Sequence, residues 1–366
     1  MNHISLIQEE LIKKDFSAIL ITDENNQRYA CGFPFTDGFV LVSQEKAWLI
    51  TDSRYIEAAQ NTAGGCCEII LYDNNHPKLQ RLNEAMSELR KRQSAQTQSA
   101  ILAEDRKISH ADYLDLEGKL GLSFSPAGEF LQSLRSSKDE AELKSMREAQ
   151  KISELALEEM LSIIRIGMTE REIAAELVYR MLKHGSEGNS FDPIVVSGQN
   201  TSLPHGVPGD RKIQAGDFLT MDFGSLKNGY CSDMTRTVAV GYATEEMQNI
   251  YNIVLKAQLA GIAAAHSGIP GKEIDSAARA VIKEAGYGQY FGHGFGHSLG
   301  LDIHEAPFAN PHETRIMPQN AVISAEPGIY LPGKFGVRIE DVMILRDTGS
   351  EVITKAPKSE LLIVAT

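Results

Sequence analysis

Four carboxylates in the second half of the chain stand in two pairs, each astride a segment able to turn back on itself. Phe218-Leu219-Thr220-Met221-Asp222-Phe223-Gly224 and Tyr230-Cys231-Ser232-Asp233-Met234-Thr235-Arg236-Thr237 read as two strands joined through Ser225 to Gly229. If Leu226 to Gly229 forms the turn, Asp222 and Asp233 are equally far from its centre and face each other on one side of the sheet. The arrangement recurs downstream. Ala321 to Glu326 and Gly336 to Val342 flank a turn around Pro332-Gly333-Lys334, which sets Glu326 opposite Glu340 when Gly333 is the centre. Like charges directly opposite each other destabilise a sheet, so two such pairs on related hairpins call for a compensating cation. The chemistry to expect is that of a metal centre built from four carboxylates.

Histidines stand nearby in the chain. Gly292-His293-Gly294-Phe295-Gly296-His297-Ser298-Leu299-Gly300, followed by His304, interleaves three histidines with glycines that let the backbone approach a ligand. This suits metal binding and proton transfer. The stretch is not a phosphate loop, because no helix within a βαβ unit follows it. Nor is His304-Glu305 a zincin signature, which would need a histidine where Phe308 stands.

The elements that must position these groups form a faint internal repeat with an offset of about 101 residues. Gly167, Glu172-Ile173 and Gly185 in one copy correspond to Gly268, Glu273-Ile274 and Gly286 in the other. Each copy has a long helical pattern (Ser137 to Arg165; Glu245 to His266), a second amphipathic helix ending at a glycine, a histidine-bearing loop (His205; His293 to His304) and one acidic hairpin. The economical inference is a domain of two pseudo-symmetric halves.

Upstream, Ser5 to Lys14 has helical spacing, while Ala18 to Ile21, Phe39 to Val42 and Ala47 to Ile50 read as short buried strands of a compact α/β unit. The breaker-rich Ser123 to Gly128 and the capping-box pattern Ser137-Lys138-Asp139-Glu140 place the boundary near 126 to 137, giving domains 1–130 and 131–366. The length of 366 residues suits two domains. With Lys+Arg 36 against Asp+Glu 49, the net charge of −13 argues against a grip on nucleic acid or anionic lipid. No apolar run is long enough to span a bilayer and the start does not read as a secretory signal, so a cytoplasmic location is expected. The four cysteines show no C-x-x-C spacing and read as free thiols.

The stretches Leu203-Pro204-His205-Gly206, Gly216 to Gly224, Tyr230 to Thr237, His293 to His304, Glu326-Pro327-Gly328-Ile329-Tyr330 and Gly336 to Asp341 together resemble the M24 metallopeptidases, in the Xaa-Pro aminopeptidase and prolidase branch. Asn26 to Phe33 and Asp52-Ser53-Arg54-Tyr55 are similar to that branch's N-terminal domain. The resemblance implies an α/β (α+β) fold class, with a creatinase-like α/β domain followed by a pseudo-symmetric pita-bread catalytic domain. It implies five metal ligands, Asp222, Asp233, His297, Glu326 and Glu340, holding two divalent ions, with Asp233 and Glu340 shared between them. Four carboxylates and one imidazole suit Mn²⁺ best, with Co²⁺ or Zn²⁺ able to occupy the site.

By the same resemblance Glu326 accepts a proton from metal-activated water, and His205 and His304, with His293 nearby, serve the substrate side. Arg338 holds carboxylates in place. Gly294 to Gly300 departs from the branch's commoner Gly-Thr-Gly-His-Gly-Ile-Gly, with Ser298 and Leu299 beside the ligand. The expected activity is removal of the first residue from peptides with proline second, with prolidase action on Xaa-Pro dipeptides as the alternative. A metal-free creatinase-like hydrolase and a non-catalytic binding homologue are lesser alternatives, because all five ligands are present. The resemblance also implies a homodimer.

Overall fold

The structure is a computed structural model that describes residues 2–92 and 100–364. Its contacts divide the chain into two units, Met1–Arg135 and Ser136–Thr366.

The first unit is built on a six-stranded mixed sheet in the order Glu68–Leu71, Ala47–Thr51, Gly38–Ser43, Ala18–Ile21, Ile101–Ala103 and Ser125–Pro126. The two inner pairings, Ala18–Ile21 with Gly38–Ser43 and Gly38–Ser43 with Ala47–Thr51, are antiparallel, and the outer ones are parallel. Strands buried on both faces read as continuous apolar runs, which is why Ala18-Ile19-Leu20-Ile21 shows no alternation. The cysteines are free thiols, with Cys31, Cys67 and Cys231 buried.

The second unit carries the repeat. Helices Glu140–Ile163 and Glu170–Lys183 form the first copy's pair, and Glu245–Ala264 and Gly271–Glu284 the second's. Gly167 and Gly268 have φ of 93° and 88°, and Gly185 and Gly286 repeat those values, 93° and 88°. All four sit where a side chain would strain the backbone, so these glycines mark one chain path used twice. The start of the long helix differs from expectation. Asp139 caps it, accepting from the Ala141 and Glu142 amides, while the Glu142 carboxylate accepts from the Asp139 amide. Ser137 instead donates to the Gln319 carbonyl.

Each half buries its own core. Ile152, Leu157, Met160, Ile173 and Leu177 pack with Leu219, Met221 and Val238 in the first, and Ile250, Val254, Ile274 and Ile282 with Ile323, Met343 and Leu345 in the second. The first half presents a four-stranded sheet, Ile363–Val364, Met234–Val240, Phe218–Phe223 and Ile194–Ser197, and the second a five-stranded sheet, Glu305–Ala309, Gly296–Ser298, Val322–Ala325, Asp341–Arg346 and Gly349–Val352. The Glu340 amide donates to the Thr235 carbonyl, joining the two halves at the acidic residues.

The two hairpins follow their turns. Leu331 pairs with Phe335 around Gly333, and Gly328 with Arg338. Ala325 pairs with Asp341 in the same register, so Glu326 and Glu340 come opposite each other, as the Gly333 centre predicts. The upstream hairpin is centred one residue later than expected. Lys227 pairs with Tyr230, leaving Asn228 and Gly229 as a two-residue turn with φ of 51° and 78°, the conformation that Asn-Gly favours. Asp222 therefore pairs with Thr235 instead of Asp233. Because Asp233 lies two residues before Thr235, it still shares a sheet face with Asp222, diagonally displaced.

Candidate metal centre

Five side chains from the two halves converge. Asp222 is the last residue but one of Phe218–Phe223, Asp233 precedes the partner strand, His297 sits in Gly296–Ser298, and Glu326 and Glu340 flank the second hairpin. Gly296 is required beside His297, since a Cβ there would lie 2.0 Å from the Ser324 carbonyl oxygen. Asp233, His297 and Glu340 each offer a ligand atom within 4.8 Å of the others.

The polar atoms of this cluster do not satisfy one another. His297 Nδ1 faces the Ser298 carbonyl at 3.2 Å, so in the neutral ring Nδ1 donates to it and Nε2 is left as a bare acceptor. Nε2 nonetheless points at Asp233 Oδ2 from 3.5 Å and at Glu326 Oε1 from 3.4 Å. Asp222 Oδ1 and Asp233 Oδ1 are buried without a hydrogen-bond partner among the described residues. Lone pairs facing lone pairs in a buried site are costly unless a cation lies between them.

Electrostatics agree. Burial, with Asp222 and Glu326 close by, pushes Asp233 well above the usual carboxylate range. Burial with Asp233 and Glu326 does the same to Glu340, and burial raises Glu326. Burial also lowers His297 below the ordinary imidazole value, keeping it neutral and able to ligate. The residues fit a divalent metal.

Around the cluster lies a set of fixed donors. Thr235 Oγ1 donates to Glu340 Oε2 at 2.7 Å, and Ser324 Oγ to Glu326 Oε1 at 3.2 Å. Arg338 Nη2 reaches Asp222 Oδ2 at 2.5 Å, its Nε reaches Thr235 Oγ1, and its Nη1 reaches both the Pro204 carbonyl and Tyr330 Oη. Burial opposes its charge, but Tyr330, Asp222 and Glu326 outweigh burial and hold Arg338 well above the ordinary guanidinium value.

Tyr330 Oη, having accepted from Arg338, donates to His293 Nε2 at 2.9 Å, and His293 Nδ1 donates to the Gly294 carbonyl at 2.8 Å. Both ring nitrogens of His293 are thus engaged. It supports Tyr330 and Arg338 while lining the cavity with the other site residues.

The remaining histidines are exposed, at the cavity's edge. His205 lies on a loop fastened by Glu170, whose carboxylate accepts from the Ser197 amide and hydroxyl, Asn200 and the Gly209 amide. The loop leading into His297 is fastened by Asp275, which accepts from the Phe295 amide, and by Arg279, which donates to the Phe291 and His293 carbonyls. His304 packs edge-on against His297, with ring centroids 4.4 Å apart, and burial together with His297 and His205 lowers its pKa. The Phe295 ring in this loop is accommodated by Gly261, where a Cβ would come within 2.4 Å of it.

One cavity of about 410 Å³ is lined by all nine residues singled out from the sequence, His205, Asp222, Asp233, His293, His297, His304, Glu326, Arg338 and Glu340. Phe191, Ile194, Ile303 and Phe308 give it an apolar wall that the sequence did not announce. Tyr330, inside a quoted stretch, was also missed as a partner of Arg338, because a tyrosine in a strand carries no distinguishing spacing.

Comparison with known proteins gives a consistent result. Residues 144–347 match metallopeptidase family M24, and residues 4–137 match the creatinase/prolidase N-terminal domain. The Xaa-Pro dipeptidase of Pyrococcus horikoshii is 34% identical over 359 residues, covering 97% of each chain. Among solved structures, the Xaa-Pro dipeptidase from Bacillus anthracis superposes with a TM-score of 0.92 at 40% identity, covering 99% of both chains. The X-Pro aminopeptidase from Thermotoga maritima does so with 0.89 at 36% identity, covering 98% of this chain and 99% of that one.

Proposed function

The chain belongs to metallopeptidase family M24, and from that premise we propose that it is a dinuclear-metal peptidase that hydrolyses the bond between a first residue and a following proline. The observation that carries the chemistry is His297 Nε2 facing Asp233 and Glu326 with no proton to offer. Asp222, Asp233, His297, Glu326 and Glu340 would hold two ions, and this mostly hard donor set favours Mn²⁺ over Co²⁺ or Zn²⁺. Ions bound there supply a water that ionises near neutral pH and a positive field for charge developing on a carbonyl oxygen.

The chain's own groups do the rest. Glu326, steadied by the Ser324 hydroxyl, takes up a proton from the attacking water. His304 and His205 orient the substrate and pass a proton toward the leaving nitrogen. Phe191, Ile194, Ile303 and Phe308 present apolar surface for a pyrrolidine ring.

The sequence analysis placed longer peptides ahead of dipeptides. Full-length likeness to proteins named as Xaa-Pro dipeptidases in P. horikoshii and B. anthracis moves dipeptides to the front. The Thermotoga maritima X-Pro aminopeptidase supports longer peptides as the second reading. Hydrolysis of Xaa-Pro and of Xaa-Pro-Yaa-Zaa by metal-stripped protein, with and without Mn²⁺, tests both. Release from neither peptide with Mn²⁺ present would overturn the proposal, and faster release from the longer one would restore the aminopeptidase order. We place the enzyme in the cytoplasm as a homodimer; no helix among the described residues is long and apolar enough to cross a membrane. Light scattering giving the mass of one 40.2 kDa chain would remove the dimer.

A further inference from the structure

Behind the carboxylates lies a second buried ionic group that the mechanism does not use. Arg236, 2% exposed, sits on Met234–Val240. Its five N–H donors meet five acceptors: Nε the Pro357 carbonyl at 3.1 Å, Nη1 the Thr235 and Glu340 carbonyls at 2.9 and 2.6 Å, and Nη2 Asp341 Oδ1 and the Ala356 carbonyl at 2.8 and 2.7 Å. The other oxygen of Asp341, which is fully buried, takes an ion pair from Lys358. Lys358 also donates to Gln258 Oε1, and Gln258 Nε2 donates to the Ala325 and Ile339 carbonyls at 3.1 and 3.3 Å. The group therefore touches the backbone at Glu340 itself and at the residues just before Glu326 and Glu340.

We infer that Arg236 and Lys358 are positioning residues for the metal centre, in which the segment 356–358 is clamped beneath the two glutamates and fixes where their carboxylates point. An apolar core could bury the same volume without the cost of desolvating two cations and an anion, so stability alone is a poor reason for this arrangement. What the ions add is direction. A guanidinium with every donor committed admits a single placement of the Glu340 carbonyl, and outer partners of this kind change metal affinity by about 10–100-fold. The inference rests on the metal-centre reading above.

The test is Mn²⁺ binding by calorimetry to metal-stripped protein, with circular dichroism to establish folding. Failure of the wild-type chain to bind Mn²⁺ would sink the metal-centre reading. With the wild type binding, Lys358→Met and Arg236→Lys are expected to fold and to bind Mn²⁺ at least about tenfold more weakly, with turnover partly recovered at excess Mn²⁺. Lys358→Arg, which keeps a cation for Asp341, is expected to recover much of the affinity. A purely structural role would lower the melting temperature of the metal-free protein and leave affinity untouched. A folded Lys358→Met chain that binds Mn²⁺ like the wild type overturns the inference whatever Arg236→Lys does, and so does failure of both variants to fold.

Discussion

Arg338 Nη2 lies 2.5 Å from Asp222 Oδ2, so the one carboxylate oxygen of Asp222 with a protein partner is held by a guanidinium anchored at three further points. The opposite oxygen, buried and without a partner among the described residues, is thereby aimed into the cluster. Arg338→Lys keeps the charge and loses the fork, and it should weaken Mn²⁺ binding or turnover by about 10–100-fold. Metal titration and steady-state rates on one Xaa-Pro dipeptide check this, and wild-type values in both would show that the fork does not matter.

Purified protein should carry about two divalent ions per chain, and a chelator should abolish turnover, with Mn²⁺ restoring it. Elemental analysis beside the activity assay decides the point. A metal-free sample at full activity would revive the creatinase-like alternative.

Glu326→Gln keeps the size and one ligating oxygen but removes the charge and the proton acceptor, so turnover should fall by at least ~10²-fold with the fold intact. His304→Ala should also lower turnover but leave metal content unchanged. The contrast carries the assignment: metal loss in His304→Ala, or normal turnover in Glu326→Gln, would reverse it.

Glu313 offers a test by pH outside the metal site. Burial works against its charge, but Arg315 and the amides of Arg315 and Phe308 outweigh burial and hold it at about 2. A depressed carboxyl stabilises the fold above its unfolded value, near 4.3, and that contribution is lost as pH falls through 4 toward 2. Glu313→Gln should therefore lower the melting temperature at pH 7, with the deficit roughly halved near pH 3 and nearly gone by pH 2. An equal deficit at all three values would mean that the ionised carboxylate is not what stabilises the loop.

Legibility of the sequence varied with how local the deciding physics was. The Glu326 and Glu340 register followed from counting about Gly333, because that turn is symmetric and both strands continue its alignment. The same count failed for Asp222 and Asp233, since the positive φ of Asn228 and Gly229 moves the turn by one residue. The repeat was readable because a backbone conformation demanded glycine at matched places. Arg236 was not, because its meaning depends on carbonyls at 340, 356 and 357, more than a hundred positions away. The partner of His293 was hidden for a similar reason: Tyr330, which bonds to it, is near in space but sits on another hairpin.

The division of the ligands between the two halves has a consequence for the cell that makes this protein. A chain emerging from the ribosome folds from its first residues onward, and the first half can gather most of its core once residue 240 is out, although its sheet is completed only by Ile363–Val364. At that stage it owns Asp222 and Asp233 and nothing else of the centre. His297, Glu326 and Glu340 arrive with the second half, and the clamp at 356–358 arrives later still. A chain that ends before Glu340 lacks part of the ligand set, so it should not act as a peptidase until synthesis has passed that residue.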